Sequence, residues 1–354
     1  MSTGRRPSVL YLFPHAVKSS LAEVEAGLAP TERMYGLIEL RNSGYRVDFC
    51  DTRFQGVLGG LRTRLRHFGI FLLDWRTIVE IARHDVIIVK DDFALMTTLL
   101  SKLLGKRIVY MDAMFNLPRS PWRRIFTKLS LWMADAVVAY SKRQIELWSE
   151  NLATRPERFL FLPYTVDVRF YTPRPGRPGA EQYVLSVGRD LGRDFATLVE
   201  AMRGTGLRLK LVTLPYLLPQ SATKEDFIDI KERVSYAELF ELYANATVVV
   251  VPLSGALVYP SGIRAVLEAA LLEKAVISTY TPVLEEYMTQ DEEVVYVEPR
   301  SVEKLRAAII ALVQDGPKRL RMQEKARQRA LREYGMENFA RGLIGTLYAE
   351  DQRV

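Results

Sequence analysis

Residues 259–278 run Tyr259-Pro-Ser-Gly-Ile-Arg-Ala-Val-Leu-Glu-Ala-Ala-Leu-Leu-Glu-Lys-Ala-Val-Ile-Ser278, and their order decides the fold. An apolar run, Thr247–Pro252, stops shortly before them. Pro260, Ser261 and Gly262 then break the chain, a helical pattern covers Ile263–Glu273, and a β-branched run follows at Ala275–Thr279. Strand, loop, helix and strand in that order make the repeating unit of a parallel sheet covered by helices. The amides at the start of the helix have no acceptors within it, and the positive end of its dipole lies there too. Ser261, Gly262 and Ile263 are therefore expected to bind an anion. Glu268 lies about two turns inside, facing the same cleft. Its paired oxygens suit the vicinal hydroxyls of a ribose.

The same alternation extends in both directions. In the first half, short Val- and Ile-rich runs stand at Ser8–Phe13, Arg46–Cys50, Asp85–Lys90, Arg107–Met111 and Ala136–Tyr140. Longer helical stretches such as Thr31–Ser43 and Phe93–Leu104 separate them. In the second half, strands are expected at Tyr183–Val187, Leu207–Thr213 and Val294–Val297, and helices at Phe195–Met202, Tyr236–Tyr243, Val302–Gln314 and Pro317–Tyr334. The stretch Thr172-Pro-Arg-Pro-Gly-Arg-Pro-Gly179 is too rich in breakers for regular structure and is read as the linker. Two α/β, Rossmann-like doubly wound domains follow, residues 1–170 and 180–335, with a C-terminal helix over 336–354. The carboxyl ends of both sheets are expected to face a central cleft, where ligands of such folds bind.

Composition bounds the function. The 354 residues are 48% hydrophobic and 26% charged, with mean hydropathy −0.02. These values exclude a mainly disordered chain and a multi-pass membrane protein. One cysteine, Cys50, and three histidines exclude a disulfide framework and argue against a Cys/His zinc site. Val9–Phe13 is too short an apolar run for a signal peptide, so a cytoplasmic protein is expected. The net charge of +7 is uneven: residues 1–170 hold 25 Lys and Arg against 17 Asp and Glu, while the remainder is nearly balanced. An excess confined to one half suits an anionic partner, whether acidic lipid, nucleic acid or a charged substrate.

The 259–278 stretch resembles the donor-nucleotide segment of GT-B glycosyltransferases, especially family 4. The usual form has a Glu, a Phe-Gly pair, an apolar run and a second Glu eight residues after the first. Gly262 and Glu268 match the Gly and the second Glu, with one residue more between them; Pro260 and Tyr259 stand where the first Glu is usual. Val187-Gly188-Arg189 with Gly192-Arg193-Asp194-Phe195 is similar to the family's strand-end pair that clamps the donor diphosphate, Arg193 replacing a lysine. Val234–Pro252 looks like the helix and strand beside the nucleotide base. Ala134-Asp135 through Ser141, with Arg158 to Asp167, looks like the end of the first domain. Arg321–Tyr334 resembles the C-terminal helices, whose last element usually returns to the first domain. The likeness extends from Gly44 to Tyr348.

It implies a GT-B fold and transfer of a sugar from a nucleoside-diphosphate sugar to an acceptor hydroxyl on a lipid-linked, polysaccharide or natural-product intermediate. Retention at the anomeric carbon is the family precedent, with no metal or other cofactor and no nucleic-acid partner. Arg189, Arg193 and Gly188 would hold the leaving diphosphate. Asp112 stands where the family commonly places a histidine near the sugar, and would orient the acceptor or take its proton. His15 or Lys18 would replace a Gly-rich phosphate loop. Asp91 and Asp92 end a strand and suit an acceptor contact better than a metal. His67 and His84 sit among surface-like charges. A nucleotide-sugar 2-epimerase and a non-catalytic nucleotide-sugar-binding protein are the alternatives on the same fold.

The first half also carries Arg62, Arg64, Arg66 and the segment Pro121–Met133. On a helical wheel Trp122, Ile125, Phe126, Leu129, Trp132 and Met133 share one face, with Arg123, Arg124 and Lys128 opposite. Such a helix either packs on the sheet with a basic outer face or lies on an anionic membrane.

Overall fold

The computed structural model describes residues 5–14, 16–51, 75–91, 93–114, 117–177, 179, 181–255 and 259–348. His15, Arg62, Arg64, Arg66, His67 and Asp92 lie outside the described residues. The chain forms two compact units. The first holds residues 1–27, 31–163 and 336–354, and the second holds 28–30 and 164–335.

In the first unit six parallel strands are ordered β2-β1-β3-β4-β5-β6. They are β1 Val9–Phe13, β2 Val47–Asp51, β3 Val86–Lys90, β4 Arg107–Met111, β5 Ala136–Ala139 and β6 Phe159–Phe161. The helices between them are α1 Lys18–Glu25, α2 Leu37–Asn42, α3 Trp75–Arg83, α4 Leu95–Leu103, α5 Pro121–Met133 and α6 Lys142–Leu152. β1 and β3 are buried along their whole length, which is why they read as unbroken apolar runs rather than alternating ones. The stretch Thr31–Ser43 is not one helix: Tyr35 and Gly36 both take left-handed backbone, between a 3-10 turn at Thr31–Met34 and α2. Gly36 is required there. A Cβ would come within 3.2 Å of the Phe339 ring, which belongs to the C-terminal helix, Met336–Leu347. That helix is further tied down by Arg107 Nε donating to the Thr346 carbonyl at 2.7 Å and by the Tyr45–Tyr348 hydroxyl pair at 3.0 Å. His84, read as surface-like, is fully buried and bridges the Asp48 carboxylate and the Glu80 carbonyl.

The second unit repeats the plan, in the order β12-β11-β10-β7-β8-β9. Its strands are β7 Tyr183–Val187, β8 Arg208–Val212, β9 Ile228–Lys231, β10 Val248–Val251, β11 Val276–Thr279 and β12 Val294–Val297. Its helices are α7 Phe195–Met202, α8 Tyr236–Asn245, α9 Ile263–Leu271, α10 Pro282–Glu285, α11 Val302–Gln314 and α12 Gly316–Glu333; the C-terminal helix of the first unit is α13. One apolar cluster under α8, α9 and α12 and another under α7 and α11 cover the sheet's two faces. The strand order reverses between the parallel strands β7 and β10, so the crevice of a doubly wound sheet lies at their carboxyl ends. The two units divide at Pro163–Tyr164, and the Thr172–Gly179 stretch belongs to the second. It lies along α8, where Asn245 accepts from the Arg177 amide at 2.7 Å. Proline and glycine deny that segment regular structure without setting it free.

Candidate functional sites

At the carboxyl end of β7, the loop Gly188–Asp194 is tied to the exit of β10. The Asp194 amide donates to the Pro252 carbonyl at 3.1 Å and the Ser254 amide to the Gly192 carbonyl at 3.0 Å. Inside this loop the Arg193 side chain is 4% exposed, and its Nε donates to Asp190 at 2.8 Å. The guanidinium lies flat on Gly188: a Cβ at that position would meet Arg193 Nε at 2.3 Å and Cζ at 2.4 Å. A glycine is needed at 188 because only a bare Cα leaves room for it.

Asp190 also receives the Ser261 hydroxyl and, at 3.1 Å, the Gly192 amide. Burial alone would raise its pKa; Arg193, Ser261 and Gly192 outweigh that and hold the carboxyl below its ordinary value. Ser261 joins this loop to α9. Gly262 caps the helix in left-handed conformation at φ +84°, with Val251 and Leu253 so close that a Cβ would approach to 3.0 Å. Ile263 follows, buried, and opens the first turn with its unshared amides. Arg193 Nη1 is buried and has no hydrogen-bond partner among the described residues. A desolvated guanidinium N–H without an acceptor is costly, and an anion is the group that satisfies it best. Arg189 next to this cluster is exposed.

Thus Gly188, Arg193, Ser261, Gly262 and Ile263 come together. Asp190, which organises them, escaped the sequence reading, because an aspartate after a Gly-Arg pair has no distinguishing spacing. Glu268 is 4% exposed. Its Oε1 accepts from the Tyr171 hydroxyl at 2.8 Å and from Arg264 Nε at 2.7 Å, and its Oε2 faces the Tyr243 hydroxyl at 3.5 Å. The sequence reading faced those oxygens to the cleft; in the structure protein donors hold them. Arg264, half-exposed one turn earlier, also reaches the Tyr171 and Tyr236 hydroxyls. A separate groove of about 560 Å³ between α8 and β7–β9 shares no residue with this cluster.

The first unit has a second cluster, where β3 and β4 end. Lys90 is buried against the Tyr35 ring, 4.1 Å from its centre. It pairs with Asp91 and stands 3.5 Å from Asp112. Tyr35, Asp91 and Asp112 all take left-handed backbone, strained for residues with side chains. Burial raises the Asp112 pKa to about 7; Asp91 adds to the rise, while Lys90 and a hydrogen bond from Tyr35 oppose it. Lys90 was missed because a lysine closing an apolar strand reads as its solvated end. Lys18, the alternative to His15, opens α1. Among the described residues no group of three or more His, Cys, Asp or Glu is placed to hold a metal ion, and no helix is long and apolar enough to cross a membrane.

Residues 217–329 match the family model described as glycosyl transferases group 1. No curated protein matches in sequence. The fold is similar to a glycosyltransferase from Rickettsia africae ESF-5, at TM-score 0.72 and 15% identity over 97% of this chain and 98% of that one. It is also similar to Anabaena Alr3699/HepE in complex with UDP, at 0.71 and 16% over 96% and 99%. Sucrose-phosphate synthase from Thermosynechococcus elongatus gives 0.71 and 18% over 97% and 98%. The matched segment lies in the second unit, and the whole chain shares with these structures the GT-B fold of two Rossmann-like units.

Proposed function

We propose that this protein moves a sugar from a nucleoside-diphosphate sugar to an acceptor hydroxyl, with the donor held by the second unit. The observation that carries the reading is Arg193: a buried guanidinium, fixed on Gly188 by Asp190, with Nη1 lacking an acceptor among the described residues. The HepE structures with UDP and with UDP-glucose support a donor of this class.

In the proposed reaction the acceptor oxygen bonds to the anomeric carbon as the bond from that carbon to the diphosphate breaks. The hydroxyl proton passes to a phosphate oxygen, and the configuration is retained. Arg193, Arg189 and the amides after Gly262 stabilise the charge growing on the diphosphate, so the chemistry uses no metal. An anion at the α9 start also competes for Arg264. Its release would open one acceptor position on Glu268 Oε1 to a ribose hydroxyl, while Tyr171 keeps its own bond to that oxygen. In the first unit, ionised Asp112 accepts a hydrogen bond from the acceptor hydroxyl and orients it, with Lys90 keeping the carboxylate in place. The acceptor is a lipid-linked, polysaccharide or natural-product intermediate, and the basic first half suits one presented at the face of an anionic membrane.

A thermal-shift panel of UDP, GDP, ADP and TDP tests the donor half, since a bound nucleotide raises apparent stability with its occupancy. At least one should raise the midpoint in the wild type and fail to do so in Arg193→Ala. Indifference to all four overturns the reading.

A further inference from the structure

Helices α4 and α5 are amphipathic the wrong way round for a water-soluble sheet cover. A helix on a sheet normally buries its apolar stripe and shows water its polar one. Here α4 turns Thr97, Thr98 and Ser101 inward, and α5 turns Thr127, Ser130 and Leu131 inward. The two helices pack on each other, and the small hydroxyl residues permit the close approach. What they leave outside is apolar. Trp122 is 64% exposed and Trp132 69%, with Ile125 and Leu129 also exposed between them; on α4, Met96, Leu99 and Leu103 are exposed as well. The wheel had put the apolar face of Pro121–Met133 in one stripe, and the structure points most of that stripe at solvent.

Cations outnumber acids around this face, although Lys102 of α4 is paired with Asp135. From Phe93 to Ala134 the chain holds seven Lys and Arg and a single acid, Asp112, which sits at the strand end. Arg119, Arg123 and Arg124 are exposed beside the patch, and Lys128 lies one turn beyond Arg124, bordering the stripe. Neither helix contains an acidic residue. A second copy docking isologously on this face would oppose like charges, whereas lipid headgroups of negative charge neutralise them. Tryptophans near both ends of α5 fit the headgroup level of a bilayer, where an indole keeps one edge wet.

We propose that the outer faces of α4 and α5 form an interfacial anchor, lying flat on an anionic lipid bilayer with Trp122, Trp132, Leu99 and Leu103 immersed and the arginines against the headgroups. The two helices follow β3 and β4, the strands whose carboxyl ends carry Asp91 and Asp112. The proposal deepens the membrane-side reading of the acceptor, yet vesicle binding measures it apart from turnover.

The test is co-sedimentation of the full chain with phosphatidylcholine vesicles, with and without phosphatidylglycerol, at low and high salt. The wild type should pellet with the anionic vesicles at low salt, stay in solution with phosphatidylcholine alone, and be released by salt. Trp122→Ser with Trp132→Ser should lower partitioning by about tenfold or more, and Arg119→Glu with Arg123→Glu should do the same. Both variants should keep the thermal midpoint and nucleotide response of the wild type. A wild type that stays in the supernatant with anionic vesicles overturns the proposal. So do variants that pellet unchanged, or self-association of the wild type that the tryptophan variant abolishes.

Discussion

The carboxyl ends of the two sheets are built alike and charged oppositely. In the first unit one cation, Lys90, stands between two carboxylates, Asp91 and Asp112. In the second, two guanidiniums, Arg189 and Arg193, accompany one carboxylate, Asp190. Each cluster uses an ion pair to hold a working group in place, and the surplus charge says what is missing. A surplus of carboxylate suits a neutral hydroxyl that can donate a hydrogen bond; a surplus of guanidinium, with one N–H lacking an acceptor among the described residues, suits an anion. On the proposed reading the first cluster, at the ends of β3 and β4, takes a hydroxyl, and the second, at the end of β7 beside the start of α9, takes a diphosphate.

The comparison breaks most visibly at Arg193. Arg193→Ala removes the stabilising N–H groups and leaves Asp190 without its partner, so turnover should fall ~100-fold, as when other preorganised donors to a developing anion are lost. Steady-state release of nucleoside diphosphate measures it, and a loss under about threefold would sever Arg193 from the reaction. Gly188→Ala sharpens the point without touching a charge. The new methyl would occupy the place of Arg193 Nε, so the guanidinium must move while the loop retains its sequence. Turnover should drop ~10-fold through misplacement alone. Near wild-type rates in this variant would mean that the position of Arg193 is unimportant.

On the other sheet the expected effect is smaller and depends on pH. On the proposed reading the ionised form of Asp112 is the stronger acceptor for the substrate hydroxyl, and burial lifts its pKa to about 7. Turnover should rise with pH through that value, roughly fourfold from about pH 6.5 to about pH 8 for one titrating group. Asp112→Asn should lose this limb and give a flat profile. Retention of the limb in that variant would assign it to another group.

Strands and helices were legible where burial on both faces imposes a pattern. Val248–Val251 and Phe195–Met202 announce themselves because nearly every residue is apolar. The edge strand β9, Ile228–Lys231, is half-exposed and alternates Ile with Asp and Lys, so nothing separates it from a loop. The Pro/Gly-rich stretch lies within the second compact unit, past the division at Pro163–Tyr164, because breakers report backbone conformation, not contact. In the cluster between β7 and α9 the Gly188, Arg193 and Gly262 signals were local, and the structure brings those residues together. Tyr171 and Tyr243, which close over Glu268, come from distant parts of the chain, and no spacing rule reaches them.

The smallest effect isolates backbone from chemistry at Gly262. Its φ of +84° is strained for any residue with a Cβ, and a Cβ there would also press on Val251 at 3.0 Å and Leu253 at 3.1 Å. Gly262→Ala meets both penalties and should cost about 1–2 kcal/mol, read as a lower midpoint in chemical denaturation. Gly262→Asn keeps the packing conflict but relieves the backbone one, because asparagine tolerates left-handed conformation. If the conformation dominates, asparagine should recover most of the loss; if the contacts with Val251 and Leu253 dominate, it should be the worse variant of the two. In the first case nucleotide binding returns along with stability, since the α9 amides then keep their direction. In the second, stability and binding fall together, and the glycine is there to let α9 close on the end of β10.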